Sequence, residues 1–82
     1  MDKKWFVYLL RCRDNTLYCG ITDDVSRRVE AHNAGKGAKY TRGRGPVELV
    51  YQEECACHSD ALHREYAIKQ LSRQEKLKMI SK

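Results

Sequence analysis

The hydrophobic and polar positions along this chain fall into six segments. Trp5–Cys12 (WFVYLLRC) is rich in aromatic and aliphatic residues and predicts a strand. The polar run Arg13-Asp14-Asn15-Thr16 predicts a turn, and Leu17–Ile21 (LYCGI) its antiparallel partner. Thr22-Asp23-Asp24 supplies an N-cap and an acidic first turn for a helix running to about Ala34. Pro46–Glu54 alternates Val47, Leu49 and Tyr51 with Glu48, Val50 and Gln52, the period of a third strand. Ser59 or Asp60 can cap a second helix to about Leu71. Ser72-Arg73-Gln74-Glu75 is a capping box that opens a last helix to Ile80. The order is ββαβαα, an α+β domain with a three-stranded antiparallel sheet flanked by helices. At 82 residues, one domain over 1–82 is expected.

The hairpin register is decided by one residue. If Cys12 pairs with Leu17, Tyr8 and Tyr18 point to opposite faces of the sheet; if it pairs with Thr16, Tyr8 faces Gly20 and both tyrosines share a face. Asn15 suits the left-handed position of a three-residue hairpin, which leans toward the second register and leaves open space across from Tyr8.

Two helices carry polar residues where apolar ones belong. In the first, Val25 and Val29 mark the buried stripe, and Arg28 and His32 lie on or beside it. In the second, with Ala61 at 0°, Leu62 falls near about 100°, Tyr66 near about 140° and Ile68 near about 340°. Glu65 lands near about 40°, inside that apolar arc. A buried carboxylate needs a cationic partner, with Arg28 a candidate, or a role as metal ligand or base.

Charge adds a location. The net +5 is concentrated in residues 35–46 (GKGAKYTRGRGP), which hold four basic and no acidic side chains. Lys36, Lys39, Arg42 and Arg44 provide the charge. Gly35, Gly37, Gly43 and Gly45 allow close approach of phosphates, Tyr40 offers a stacking face and Thr41 a hydroxyl. This loop is expected to grip nucleic acid. Lys69, Arg73 and Lys76 form a second basic set, read as solvated surface. The longest apolar run, Trp5–Leu10, is too short for a membrane span and the amino terminus lacks a signal-peptide pattern, so a cytoplasmic protein is expected. The small core leaves no cavity for an organic cofactor. Cys12, Cys19, Cys55 and Cys57 have poor spacing for structural zinc and are expected to be free, mostly buried thiols.

These residues together resemble the GIY-YIG nuclease domain. The first motif stands as Val7-Tyr8-Leu9 and the second as Tyr18-Cys19-Gly20. The arginine of the following helix matches Arg28, its histidine or tyrosine matches His32, and the glutamate of the later helix matches Glu65. The loop AKYTRGRGP and the C-terminal helix look like those of the small stand-alone GIY-YIG proteins of bacteria. The resemblance implies one-metal hydrolysis of phosphodiesters in DNA, with DNA repair or processing as the setting. Glu65 would hold one Mg²⁺ or Mn²⁺, Tyr8 or Tyr18 would help activate water, Arg28 would brace the phosphate and His32 would accept a proton or orient the water. The alternative is a weakly catalytic nucleic-acid-binding module or accessory subunit of a larger nuclease. Two positions depart from the family pattern: Ile21 stands where many members have lysine, and no asparagine occupies the last helix around Lys76-Leu77-Lys78-Met79. Without an appended DNA-binding domain, no sequence preference is expected, which leaves room for a protein partner in targeting; the chain itself is expected to be a monomer.

Overall fold

The computed structural model describes residues 4–81. The Met1–Lys3 stretch on which the signal-peptide argument rests lies outside the described residues. The elements are β1 (Trp5–Arg11), β2 (Leu17–Thr22), α1 (Val25–Asn33), β3 (Glu48–Cys55), α2 (His58–Lys69) and α3 (Arg73–Ile80). The strands form one antiparallel sheet in the order β2-β1-β3.

The three-residue hairpin is the one formed. Cys12 N–H donates to Thr16 O at 2.9 Å, and Asn15 N–H to Cys12 O at 2.8 Å. Asn15 takes φ 69°, the left-handed conformation that its side chain tolerates better than most. Asp14 then stiffens the turn by accepting from the Thr16 hydroxyl at 2.6 Å. Tyr8 therefore pairs with Gly20, and Leu10 with Tyr18. Both tyrosines lie on the same side of the sheet.

That sheet has two buried faces. On one, Tyr8, Leu10, Cys12 and Val47 pack with Tyr18, Val29 and Leu49. On the other, Val7, Leu9, Cys19, Ala61 and Ile68 pack with residues of β3, α2 and α3. β3 departs from its expected alternation. The pairing with β1 shifts between Leu9 and Leu10, so Leu49 stays with the tyrosine face while Val50 and Tyr51 both pack on the opposite one. A bulge inserts one residue and so breaks the period of two.

Helix starts differ from expectation in two cases: the first turn of α1 holds no acidic residue, and α2 is capped elsewhere than foreseen. Asp24 caps α1, accepting from Arg27 N–H at 3.1 Å. The Ser72–Glu75 capping box of α3 is formed in both directions. For α2 the N-cap is Cys57, without a side-chain cap bond, and Ser59 and Asp60 fall inside the first turn. What positions α2 is tertiary. Trp5 meets His58 edge-on with ring centroids 4.4 Å apart, and Arg64 Nε donates to Glu53 Oε2 at 2.9 Å. Glu53 also accepts from the Tyr51 hydroxyl at 2.6 Å.

The cysteines are divided by the sheet. Cys12 and Cys19 belong to opposite cores, so they cannot form half of a common metal site. Cys55 is half-buried and Cys57 exposed, so only two of the four thiols are buried. Burial pushes the Cys19 thiol up to about 11, which keeps it protonated and inert at neutral pH.

Candidate active site

The tyrosine face of the sheet carries a chain of buried polar groups. Tyr8 is 1% exposed, as are His32 and Thr41. The Tyr8 hydroxyl and His32 Nε2 are hydrogen-bonded at 2.9 Å, and His32 Nδ1 and the Thr41 hydroxyl at 2.7 Å. Thr41 Oγ1 donates to Ala38 O at 3.0 Å. His32 is the buried residue of α1. The Arg28–His32 stripe inferred from Val25 and Val29 thus turns its imidazole fully inward.

Two glycines make room for this chain. A Cβ on Gly20 would lie 2.6 Å from the Tyr8 hydroxyl and 3.0 Å from a Tyr18 ring carbon. A Cβ on Gly37 would overlap the His32 ring. Gly37 therefore serves the imidazole, not phosphate approach as its place in the basic loop implied. Gly35 and Gly43 hold φ of +76° and +82°, turns that other residues adopt with strain.

Arg28 stands half-buried beside this group and acts by charge on Tyr8, Tyr18 and His32. Burial pushes the Tyr8 phenol up to about 12, against the pull of Arg28. Burial also raises Tyr18, while Lys69 and Arg28 oppose it and Glu65 reinforces it. The same desolvation, with Arg28, holds the His32 imidazole below its ordinary value. Tyr18 therefore lies within electrostatic reach of Arg28 on one side and of Glu65 and Lys69 on the other. As a member of edge strand β2, it joins the tyrosine face to the edge where α2 arrives.

The depressed His32 has a measurable consequence. The folded protein refuses a proton that the unfolded chain accepts near pH 6.5. Stability from this group is present above about 6.5 and lost as pH falls through that value toward the folded one. The melting temperature should fall between pH 7.5 and 5, and His32→Gln should flatten that slope. An unchanged slope in the variant would contradict the assignment.

Glu65 lies between Ala61 and Ile68, the two buried residues of α2. Its side chain is 19% exposed and pairs with Lys69 at 3.4 Å, one turn along the same helix, so Lys69 takes the partner position considered for Arg28. The arc drawn through Leu62 and Tyr66 needs correction: they are 43% and 70% exposed. The buried residues of α2 are Ala61 and Ile68, so Glu65 lies at the edge of that stripe, nearer to solvent than the angles implied.

The basic loop is more ordered than a solvated charge run. Tyr40 stacks on Tyr18, with centroids 5.8 Å apart and planes at 26°. Arg44 lies over the Tyr40 ring at 4.4 Å and reaches Asp14 at 3.4 Å, so it clamps the loop to the hairpin. Thr41, expected from the sequence to help grip nucleic acid, has its hydroxyl buried between His32 and Ala38, out of reach of a ligand on the surface. Lys36, Lys39 and Arg42 are exposed and Tyr40 partly so. Of the second basic set, Arg73 donates to Asn15 O at 2.8 Å and ties α3 to the hairpin turn.

The carboxylate suits one kind of ion. Among the described residues no group of three or more His, Cys, Asp or Glu side chains could cage a metal. Glu65 is a single, mostly buried carboxylate with a cationic ammonium already beside it. Such a donor fits a hard cation that keeps several waters and takes its remaining ligands from phosphate. It does not fit zinc.

Sequence comparison decides the family. The model of the GIY-YIG catalytic domain matches residues 4–78. The chain belongs to the GIY-YIG family. It is similar to a UPF0213 protein of Staphylococcus haemolyticus, at 58% identity over 77 residues and 94% of both chains. A UPF0213 protein of Oceanobacillus iheyensis is 54% identical over 98% of this chain and 93% of its own. The solution structure of the UPF0213 protein BH0048 from Bacillus halodurans superposes with a TM-score of 0.61 at 46% identity, covering 95% of this chain and 83% of that one. As a GIY-YIG protein, this chain belongs to a family of nucleases. Its three-stranded antiparallel sheet and ββαβαα order are those expected from the sequence. Among the described residues, no helix is long and apolar enough to cross a membrane.

Proposed function

We propose that this GIY-YIG protein is a divalent-metal-dependent phosphodiesterase that hydrolyses DNA without sequence preference, acting in the cytoplasm as a single domain over residues 1–82. The observation that carries this reading is the buried contact between the Tyr8 hydroxyl and His32 Nε2 at 2.9 Å. A phenol with its own proton acceptor is what a tyrosine general base requires, because free phenol holds its proton up to about pH 10.

Roles follow from placement. Glu65 would hold one Mg²⁺ or Mn²⁺, which when bound supplies positive charge to a phosphate oxygen. Arg28 would brace the phosphate where negative charge develops. Tyr8, buried at rest, would take the proton of the attacking water once substrate binding opens its hydroxyl to that water, as its own proton passes to His32 Nε2. The water oxygen bonds to phosphorus, the bond from phosphorus to the leaving oxygen breaks, and solvent protonates that oxygen. Tyr18, stacked on Tyr40 and within electrostatic reach of both Arg28 and Glu65, would form a wall of the site. At rest the high phenol and depressed imidazole keep the proton on Tyr8, so transfer awaits the charges that arrive with cation and substrate.

Lys36, Lys39, Arg42 and the exposed part of Tyr40 would grip the DNA backbone beside this wall. The Lys39→Gln/Arg42→Gln double variant should lower the slope of log affinity against log salt by roughly 2 for duplex DNA. The melting temperature should hold, because neither side chain carries a structural bond. An unchanged slope would make the loop ordinary surface. Arg44 is left intact in this test because it clamps the loop.

Incubation of plasmid, linear duplex and single strands with Mg²⁺ or Mn²⁺ tests the reading. Cleavage by the native chain that Tyr8→Phe loses supports it. Salt-sensitive binding without cleavage supports the second reading, a binding module or accessory subunit, for which the Lys69 ammonium seated on Glu65 speaks.

A further inference from the structure

We propose that Thr41 is a positioning residue that fixes the tautomer of His32, so that the basic loop sets the direction of the Tyr8–His32 hydrogen bond. The inference deepens the proposed hydrolysis and rests on that reading for its catalytic meaning.

A hydroxyl has one proton to give. Thr41 Oγ1 donates it to Ala38 O at 3.0 Å. Toward His32, 2.7 Å away, Thr41 can therefore only accept, so Nδ1 carries a hydrogen. A neutral imidazole with hydrogen on Nδ1 has a lone pair on Nε2. Nε2 then accepts from the Tyr8 hydroxyl at 2.9 Å. The chain of donors runs one way, from Tyr8 to His32 to Thr41 to the Ala38 carbonyl. With the opposite tautomer, Nε2 would donate to the Tyr8 oxygen and could not receive its proton.

Burial makes this assignment strict. His32 and Thr41 are each 1% exposed, so neither ring nitrogen has water as a substitute partner. A buried N–H without an acceptor is costly enough to select the other tautomer. The loop is built around the contact. Thr41 N–H donates to Ala38 O at 3.1 Å, closing a turn that aims the hydroxyl, and Gly37 leaves the space that the imidazole fills. Tyr40 and Arg42 flank Thr41 in sequence, so the proposed DNA grip and the tautomer lock share one short segment.

The test uses ¹⁵N-labelled protein and the imidazole nitrogen shifts of His32, with Thr41→Val and Thr41→Ser compared. Valine matches threonine in shape and lacks the hydroxyl; serine retains it. The native chain and Thr41→Ser should show hydrogen on Nδ1. Thr41→Val should move it to Nε2 and lower single-turnover cleavage at least tenfold, with the backbone amide spectrum otherwise retained. Hydrogen on Nε2 in the native chain, or an unmoved tautomer in Thr41→Val, would overturn the proposal. The tautomer is read without substrate or metal. A native chain that carries the predicted tautomer but cuts no DNA would refute the hydrolytic reading and leave the lock standing.

Discussion

Glu65→Gln is expected to cripple metal-dependent cleavage while leaving the fold and DNA affinity in place. Glu65 is the mostly buried carboxylate at the edge of the inward row of α2, and its partner is the ammonium of Lys69 at 3.4 Å. Glutamine keeps the shape and removes the charge that would hold a divalent cation. A metal ion contributes several kcal/mol to stabilising a phosphoryl transition state, so the rate should drop by about a hundred- to a thousandfold. Paramagnetic broadening by Mn²⁺, followed through the amides of β2 and α2, reads the cause directly. Broadening around Tyr18 and Glu65 in the native chain should vanish in Glu65→Gln. Equal broadening in both would place the metal elsewhere.

The second large effect needs no change to any group that reacts. Gly20→Ala adds one methyl, 2.6 Å from the Tyr8 hydroxyl and 2.8 Å from the ring carbon that bears it. The phenol must shift, which is expected to disrupt its 2.9 Å contact with His32. A displacement of about 1 Å at a reacting group can cost a hundredfold in rate, and that loss is expected here. Tyr8→Phe removes the base and should cost about a hundred- to ten-thousandfold. The two changes strike one function, so the double variant should be no slower than Tyr8→Phe alone. A double variant whose losses multiply would mean that Gly20 acts through something other than Tyr8.

The register was legible because it turns on one local residue. Asn15 accepts the left-handed conformation that a three-residue hairpin demands, and that choice alone puts Tyr8 opposite Gly20. The Ser72–Glu75 capping box was legible for the same reason, since all its bonds lie within four residues. Glu65 and His32 stood out because charged or polar groups interrupted apolar stripes.

What escaped depends on contacts distant in sequence. Leu62 and Tyr66 lie one turn apart and suggest a buried row, yet α2, held by the Trp5–His58 and Arg64–Glu53 contacts, turns Ala61 and Ile68 inward with Glu65 at their edge. The bulge opposite Leu9 and Leu10 is a property of strand pairing, which alternation within Val47–Tyr51 cannot reveal. Thr41 and Gly37 sit in a stretch whose composition says only glycine and charge. Their roles arise because the loop folds back over α1, bringing a hydroxyl to His32 across nine positions. A lone threonine among arginines and lysines was the available signal, and it pointed equally well to a phosphate.

The central claim is that Tyr8, His32, Arg28 and Glu65 form one hydrolytic site. Nicking of supercoiled plasmid under single-turnover conditions, with Mg²⁺ or Mn²⁺, tests it most directly when folded preparations of the native chain, Tyr8→Phe and Glu65→Gln are run side by side. The account predicts metal-dependent nicking by the native chain and a loss of about a hundredfold or more in each variant. Nicking that persists at the native rate in both variants, or that proceeds in chelator, would contradict it.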